Sequence, residues 1–301
     1  MTPRYVFELL LLASIWGASF IFMRIGSPEF GPILFMALRT LTASLFLLPL
    51  VFITKKQSAF NGNKTKIFIV GIFNTAIPFV LFGYATLTLS GGLTSVLNAT
   101  TPMFASIVAY LWFRDKMSVS ASFGLLIGFV GVYLLMLDKI TLGQQNILFP
   151  TLAALLASLC YGISANYTKK HLVGISSTAL ATGSQVSATL VLLPISFFFI
   201  PTQMPSSPAI MSVLLLGVLC TGIAYIIFFH LISNLGPARA VSVTYLIPAF
   251  GLFWGSMFFD EVITSSMLIG CGFILTGVAL ATGVLSLSKR KIDKSKANID
   301  F

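Results

Sequence analysis

Residues 67–113 read IFIVGIFNTAIPFVLFGYATLTLSGGLTSVLNATTPMFASIVAYLWF, 47 positions in a row without one charged side chain. A helix needs roughly 20 apolar residues to cross about 30 Å of hydrocarbon. The run is far too long for one crossing and long enough for two. Ser90-Gly91-Gly92 stands at its midpoint, where paired glycines break a helix and supply a tight turn. The stretch therefore predicts a membrane hairpin.

The rest of the chain repeats that lesson. Of its 301 residues 57% are hydrophobic and only 9% charged, against about 25% charged in a soluble domain whose surface meets water. Ten segments reach membrane-crossing length: 5–24, 32–54, 67–89, 93–113, 119–137, 147–168, 178–200, 210–232, 240–259 and 263–287. The fold class predicted is an all-α polytopic membrane protein of ten transmembrane helices. Asn234-Leu235-Gly236-Pro237 makes a second tight hairpin between helices eight and nine. The first apolar run, Tyr5 to Met23, lacks a clear small-residue cleavage site and exceeds a typical signal core, so it reads as a retained helix. Cys160, Cys220 and Cys271 fall inside apolar runs without metal-like spacing. They read as small buried hydrophobes, and neither metal nor cofactor is expected.

The formal net charge of +10 is placed for a membrane, not for nucleic acid. No basic face alternates with stacking aromatics as a nucleic-acid surface requires. With the N-terminus inside, fifteen of the 18 Lys and Arg fall in cytoplasmic loops and tails: Arg4, Lys55, Lys56, Lys64, Lys66, Arg114, Lys116, Lys169, Lys170, Arg239 and five between Lys289 and Lys296. Only Arg24 and Lys139 fall outside, and Arg39 lies within helix two. Positive residues stay on the cytoplasmic side. Both termini are thus expected in the cytoplasm, in a multi-pass protein of a bacterial-type inner (plasma) membrane.

The halves also repeat. A shift of 145 residues lays Trp16-Gly17-Ala18-Ser19 on Tyr161-Gly162-Ile163-Ser164, and Ala43, Leu45, Leu47, Leu48 and Pro49 on Ala188, Leu190, Leu192, Leu193 and Pro194. A shift of 146 lays Pro102, Phe113, Ser120, Gly124 and Gly131 on Pro248, Phe259, Ser266, Gly270 and Gly277. Five helices per half is an odd number, so the second half is expected upside down relative to the first. The division expected is 1–140, 147–287 and a basic tail at 288–301. Inverted halves have nearly equivalent inward-open and outward-open states about a central cavity. A receptor or anchor has no use for that symmetry.

Candidate site residues follow from depth and chemistry. A proline within a helix frees the carbonyl four residues back: Pro78 that of Asn74, Pro102 that of Asn98, Pro248 that of Thr244. Each is either an acceptor for a ligand or a kink satisfied by a neighbouring hydroxyl. Trp16, Asn74, Tyr84, Asn98, Tyr161, Asn166, Tyr225, Tyr245 and Trp254 are candidates for flat walls with a few fixed polar groups, with interfacial anchoring as the alternative. Arg39 is the one basic residue well inside a span, about 10 Å from the helix start at Pro32. It either meets a substrate carboxylate or serves structure, snorkelling or bonding a neighbouring helix. The expected substrate-binding set is Trp16, Arg39, Asn74, Tyr84, Asn98, Pro102, Tyr161, Tyr225, Thr244, Tyr245 and Pro248. Glu8 and His230 lie near cytoplasmic helix ends and read as interfacial. Pairs four apart, Gly124 with Gly128, Gly251 with Gly255, Ala13 with Gly17 and Ser158 with Gly162, are close-packing seams. No enzymatic signature is present, neither His-Glu-x-x-His, Walker loop nor nucleophile elbow, and no catalytic residue is expected.

Taken together, Trp16-Gly17-Ala18-Ser19-Phe20, Arg39, Asn98-Ala99-Thr100-Thr101-Pro102 and Pro248 resemble the ten-helix EamA-type permeases of the drug/metabolite transporter superfamily. So do Phe113 with Asp115 ahead of Gly124 and Gly131, and Phe259 with Glu261 ahead of Gly270 and Gly277. The likeness runs from about 5 to 287. It implies two inverted five-helix repeats around a cavity lined by helices one, three, four, six, eight and nine, in a family exporting amino acids and other metabolites. One departure matters: the four-helix small-multidrug relatives place a glutamate midway along helix one, where this chain has Ser14 and Trp16. Cation-drug antiport by that route is not expected. The function expected is a permease exporting amino acids or related zwitterions, its partners a small-molecule substrate and membrane lipid, acting as a monomer. A lipid-linked or nucleotide-like substrate, or an intramembrane enzyme, stand as alternatives.

Overall fold

The computed structural model describes residues 2–114, 117–141 and 146–285. The expected basic tail, Asp115, Lys116 and the side chain of Lys139 lie outside the described residues. Ten helices follow in chain order: α1 Pro3–Phe30, α2 Pro32–Ile53, α3 Lys64–Ala85, α4 Gly91–Phe113, α5 Val119–Thr141, α6 Leu148–His171, α7 Ser177–Phe199, α8 Ser207–Leu235, α9 Arg239–Phe259 and α10 Ser265–Ala281. Among the described residues nine are long and apolar enough to span a membrane, and α10 is a shorter apolar helix.

Two ends differ from the sequence expectation for local reasons. A single residue, Gly31 at φ +73°, makes the turn between Phe30 and Pro32. α1 therefore runs on past residue 24 for 28 residues, about 42 Å at 1.5 Å per residue, and carries Arg24 and Glu29 up to its far end. At the other extreme α10 stops at Ala281, not 287. There Gly283 takes φ +75° and the amides of Gly283 and Leu285 bond back to the Leu280 and Ala279 carbonyls at 3.2 and 2.9 Å, a glycine-terminated helix end.

The outside of the bundle is greasy and its inside holds the small polar residues. Phe7, Leu45, Phe52, Leu126, Phe149, Leu190, Phe198, Phe253, Phe258 and Leu268 are exposed, while Thr40, Thr94, Ser95, Thr100, Ser158, Thr182 and Gln185 are fully buried. Exposed apolar surface on this scale marks a lipid-facing body. The chain is a polytopic membrane protein.

Contacts fall in pairs that the repeat interchanges. Gly17 of α1 packs on Phe250 and Gly251 of α9, and Gly162 of α6 packs on Phe104 and Ala105 of α4. In the antiparallel α5–α10 seam, Gly124 meets Gly277 and Gly131 meets Gly270, backbone against backbone. Gly71 of α3 lies against Ser184 and Ser187 of α7, just as Gly217 of α8 lies against Arg39 and Thr42 of α2. Ser44 and Thr189, equivalent positions, touch each other at 3.2 Å. Each partner of a pair is its mate shifted by 145 or 146 residues.

Backbone irregularities obey the same pairing. α3 contains a π turn at Ile72–Ala76 and α8 a longer one at Leu215–Ile223, at equivalent levels. The amide of Ile77 bonds the Ile72 carbonyl five residues back, which lets Pro78 enter the helix without a clash. α4 is broken at Ala99 and Thr100, just before Pro102, and α9 by a 3₁₀ turn at Ser242–Tyr245, just before Pro248. Interruptions matched in this way are where membrane carriers keep their binding sites, and π turns recur at functional positions.

Candidate substrate-binding site

The two ends of the bundle are built differently. One, here the basic face, carries the start of α1, Lys55, Lys56 and Lys64 after α2, Arg114 after α4, Lys169 and Lys170 at the end of α6, and Arg239. The opposite face carries Arg24, Glu29, Asp260 and Glu261.

Towards the opposite face α1, α4 and α9 close on one another. Gly17 sits against α9, Gly92 against Leu252, and Gly251 against Ser95. Trp254 Nε1 donates to the Ser14 carbonyl at 3.1 Å. Glu261 caps this seam, accepting the amides of Gly91 at 3.0 Å and Gly92 at 3.2 Å. Its carboxylate thereby meets the free N–H groups at the start of α4, where the helix dipole favours negative charge. Arg24 completes the latch, 3.3 Å from Glu261, 5.1 Å above the Phe259 ring and donating to the Leu89 carbonyl. Glu29 ties the end of α1 to Ser206 at the start of α8.

At the basic face the image of that seam is only partly formed: Gly162 of α6 packs on the second half of α4. Lys169 lies 5.2 Å over Phe113, the repeat mate of Arg24 over Phe259. Yet the first turns of α9 lean on α1 and the end of α8, without the packing against the second half of α4 that the opposite face has. Trp16, Asn98, Thr101, Pro102, Tyr161, Tyr225, Phe228, Thr244 and Tyr245 are all only half-buried on the slopes of this looser region. Near the edge His230 Nδ1 stands 2.9 Å from Glu8, joining α8 to α1. Tyr5 Oη donates to Asn234 close by.

A polar cluster sits between the two ends, centred on Arg39. Its side chain is only 5% exposed although it belongs to a membrane span. The guanidinium lies on the face of Phe79, 3.6 Å from the centroid, a contact of about 1–2 kcal/mol when desolvated. Nε donates to Thr221 Oγ1 at 3.2 Å, and that hydroxyl in turn donates to the Leu216 carbonyl within the π turn of α8. Nη1 has no hydrogen-bond partner. Tyr161, Cys220 and Tyr225 are its electrostatic neighbours. The side chains of Asn74 and Gln185 approach the Tyr225 hydroxyl, but both polar atoms of the fully buried Gln185 amide stay without a hydrogen bond of normal geometry. Aromatic rings frame the group: Trp16 edge-on to Tyr225 at 6.4 Å and against Phe228 at 5.2 Å, and Phe82 against Tyr161 at 6.0 Å.

Trp16, Arg39, Asn74, Tyr161 and Tyr225 of the expected set thus share one region. Asn98 and Pro102 border the break in α4, where the Asn98 side chain reaches only Thr101 in its own helix. Thr244 bonds the carbonyl of Val241 in its own turn, and Tyr245 meets Thr282 of α10 near the basic face. Pro248 is buried at the foot of the α1–α9 seam. Tyr84 is 42% exposed, seven residues from exposed Ile77 on the same helix, and among the described residues makes no hydrogen bond or ring contact with the Arg39 cluster. Helices α2 and α7, absent from the expected lining, supply Arg39 and Gln185. Gln185 was missed because a lone glutamine in an apolar run has no motif; being the only large polar side chain of α7 was its signal. The Glu8–His230 pair joins residues 222 apart, which no local pattern connects.

The class these features define is a membrane transporter with ten helices in paired arrangement. The model of the EamA-like transporter family matches the chain twice, over residues 4–137 and 148–283, and the chain belongs to that family, within the drug/metabolite transporter superfamily. It is 25% identical over 292 residues to the uncharacterized transporter YoaV of Bacillus subtilis, covering 96% of this chain and 99% of that one. It is 23% identical over 281 residues to the protein PecM of Dickeya dadantii, 92% of each. A protein of known crystal structure superposes with a TM-score of 0.63 at 14% identity, covering 94% of this chain and 98% of that one, a likeness of fold.

Proposed function

We propose that the chain is a secondary carrier for small polar metabolites, amino acids and related zwitterions foremost, working by alternating access with net export. The observation that carries this reading is the unequal closure of two equivalent seams. α1, α4 and α9 are zipped at the opposite face, while at the basic face α6 packs on α4 but the first turns of α9 lack the matching contact with α4. In a protein whose halves, 1–140 and 147–287, are inverted copies, the state with the seams exchanged has nearly the same energy. The break points at Pro102 and Pro248 are the hinges on which α4 and α9 swing. The positive-inside rule puts the basic face and both termini in the cytoplasm of a bacterial-type inner membrane, so this is the inward-facing state.

The deep region suits such a cargo. It joins one cation, amides and phenols with aromatic walls, the usual composition of a small-molecule site. Purified protein in liposomes loaded with unlabelled amino acids should take up labelled ones by counterflow, saturably. Failure across a broad amino-acid panel would remove that class of cargo. A second reading rests on a separate cavity of about 670 Å³ at the basic face between α3, α4 and α6, lined by Phe73, Trp112, Arg114, Tyr167 and Lys170 among others. Its cationic rim favours a lipid-linked or phosphate-bearing substrate, and loss of that transport on Lys170→Ala without effect on amino acids would support it.

A further inference from the structure

We propose that Arg39 and Gln185 form a carboxylate subsite and that the substrates are α-amino or α-hydroxy acids; the inference rests on the carrier reading above. The repeat itself separates what Arg39 does for the fold from what it does beyond it. Arg39 in α2 and Ser184 in α7 are equivalent positions, and so are Thr221 in α8 and Thr75 in α3. Ser184 bonds Thr75 hydroxyl to hydroxyl, as Arg39 bonds Thr221. Linking this helix to the neighbouring π turn therefore needs no more than a serine. The guanidinium is the surplus.

That surplus is costly where it stands. A buried cation is normally paired or hydrogen-bonded through all its donors. Among the described residues the ion pairs are Arg4–Glu8, Arg24–Glu261 and His230–Glu8, all far towards the two ends, and none reaches Arg39. Phe79 covers one face and Thr221 takes Nε, which leaves Nη1 without a partner. One residue further along α7, Gln185 repeats the pattern: its mate in α2 is Thr40, which bonds its own helix at the Ala37 carbonyl, whereas the Gln185 amide approaches the Tyr225 hydroxyl but makes no hydrogen bond of normal geometry at either atom. Both groups border Tyr225. Two surplus polar side chains, each over nine-tenths buried and bordering one phenol, are groups placed to meet a small polar molecule.

The donors and acceptors define that guest. A guanidinium matches a carboxylate by two parallel N–H bonds. Gln185 offers a second N–H to the same group and a carbonyl to an adjacent ammonium or hydroxyl. A carboxylic acid with N–H or O–H on the next carbon satisfies all of them. The aromatic wall of Trp16, Tyr225 and Phe228 takes the remainder of the molecule.

The test uses purified full-length protein and thermal shift, with each proteinogenic amino acid, lactate and the corresponding primary amides as probes. Free acids should stabilise the protein and their amides should bind at least about tenfold more weakly, since one charge-assisted bond is lost. Arg39→Gln should abolish the preference for acid over amide, Arg39→Lys should keep part of it, and Gln185→Leu should weaken lactate and the amino acids alike while keeping the preference for acid over amide. The wild-type comparison stands even if a variant folds poorly. Equal stabilisation by amide and acid, or no shift with any free acid, would overturn the assignment. Counterflow in vesicles separates the two readings. Acids that bind through Arg39 without crossing support the subsite and remove the carrier, whereas saturable transport restricted to neutral or cationic solutes does the reverse.

Discussion

Gly277→Val should destabilise the folded protein by about 3 kcal/mol, the upper range for overpacking a tight contact, and much of it should be lost on extraction into detergent. A Cβ at Gly277 would stand 2.5 Å from the Gly124 carbonyl oxygen, 2.6 Å from Gly128 N and 2.7 Å from Gly128 Cα. All three are backbone atoms, so no rotamer change relieves the clash and α5 must part from α10. In lipid, helices associate through close packing and not through water exclusion, so a seam pushed apart has little to replace it. Gly272, five residues away on the same helix, faces open space: a Cβ there would meet nothing within 4 Å. Gly272→Val should therefore change stability by no more than about 0.5 kcal/mol. Thermal unfolding of the two variants side by side decides the matter; equal melting temperatures would mean that the α5–α10 seam does not hold the halves together.

Glu261→Gln should release the opposite face. The carboxylate accepts two amides at the start of α4 and meets Arg24, and its side chain is 9% exposed. An amide of equal size keeps one accepting oxygen and loses the charge. Removing charge-assisted bonds of this kind shifts the closed–open balance by about 2 kcal/mol, roughly thirtyfold in the ratio of states. Ser95 reports on that balance because it is fully buried between α4 and Gly251 when the seam is shut. In a background with Cys160, Cys220 and Cys271 replaced by serine, Ser95→Cys should react with a membrane-impermeant thiol reagent at least tenfold faster once Glu261→Gln is added. An unchanged rate would show that Glu261 is no latch.

The fold was legible where one residue type dominates a local energy. The uncharged run from Ile67 to Phe113 could only be a hairpin, although its turn falls at residues 86–90 and Gly91-Gly92 open α4 instead of making the turn. Matched prolines at 102 and 248 marked the interrupted helices. The two π turns were not foreseen, because α8 has no proline at the place where α3 has Pro78 and nothing in composition separates a π turn from an α-helix. The length of α1 was underestimated since Arg24 and Glu29 look like a loop, while they are the pieces that fasten the opposite face. Arg39 stood out as a lone cation in a span, but its partners Thr221 and Phe79 lie 182 and 40 positions away, and Gln185, which borders the same Tyr225, lies 146 away. Only tertiary structure brings them into one place.

Alternating closure is tested most directly by measuring both ends at once. Spin labels at Thr88 and Val262 span the opposite face, and labels at Leu111 and Val241 span the basic face, all four being exposed positions. Pulsed electron–electron distances recorded with and without Glu261→Gln should move in opposite senses, the first pair separating as the second approaches. Both pairs widening together, or neither moving in protein that transports, would contradict two inverted halves rocking about a shared centre.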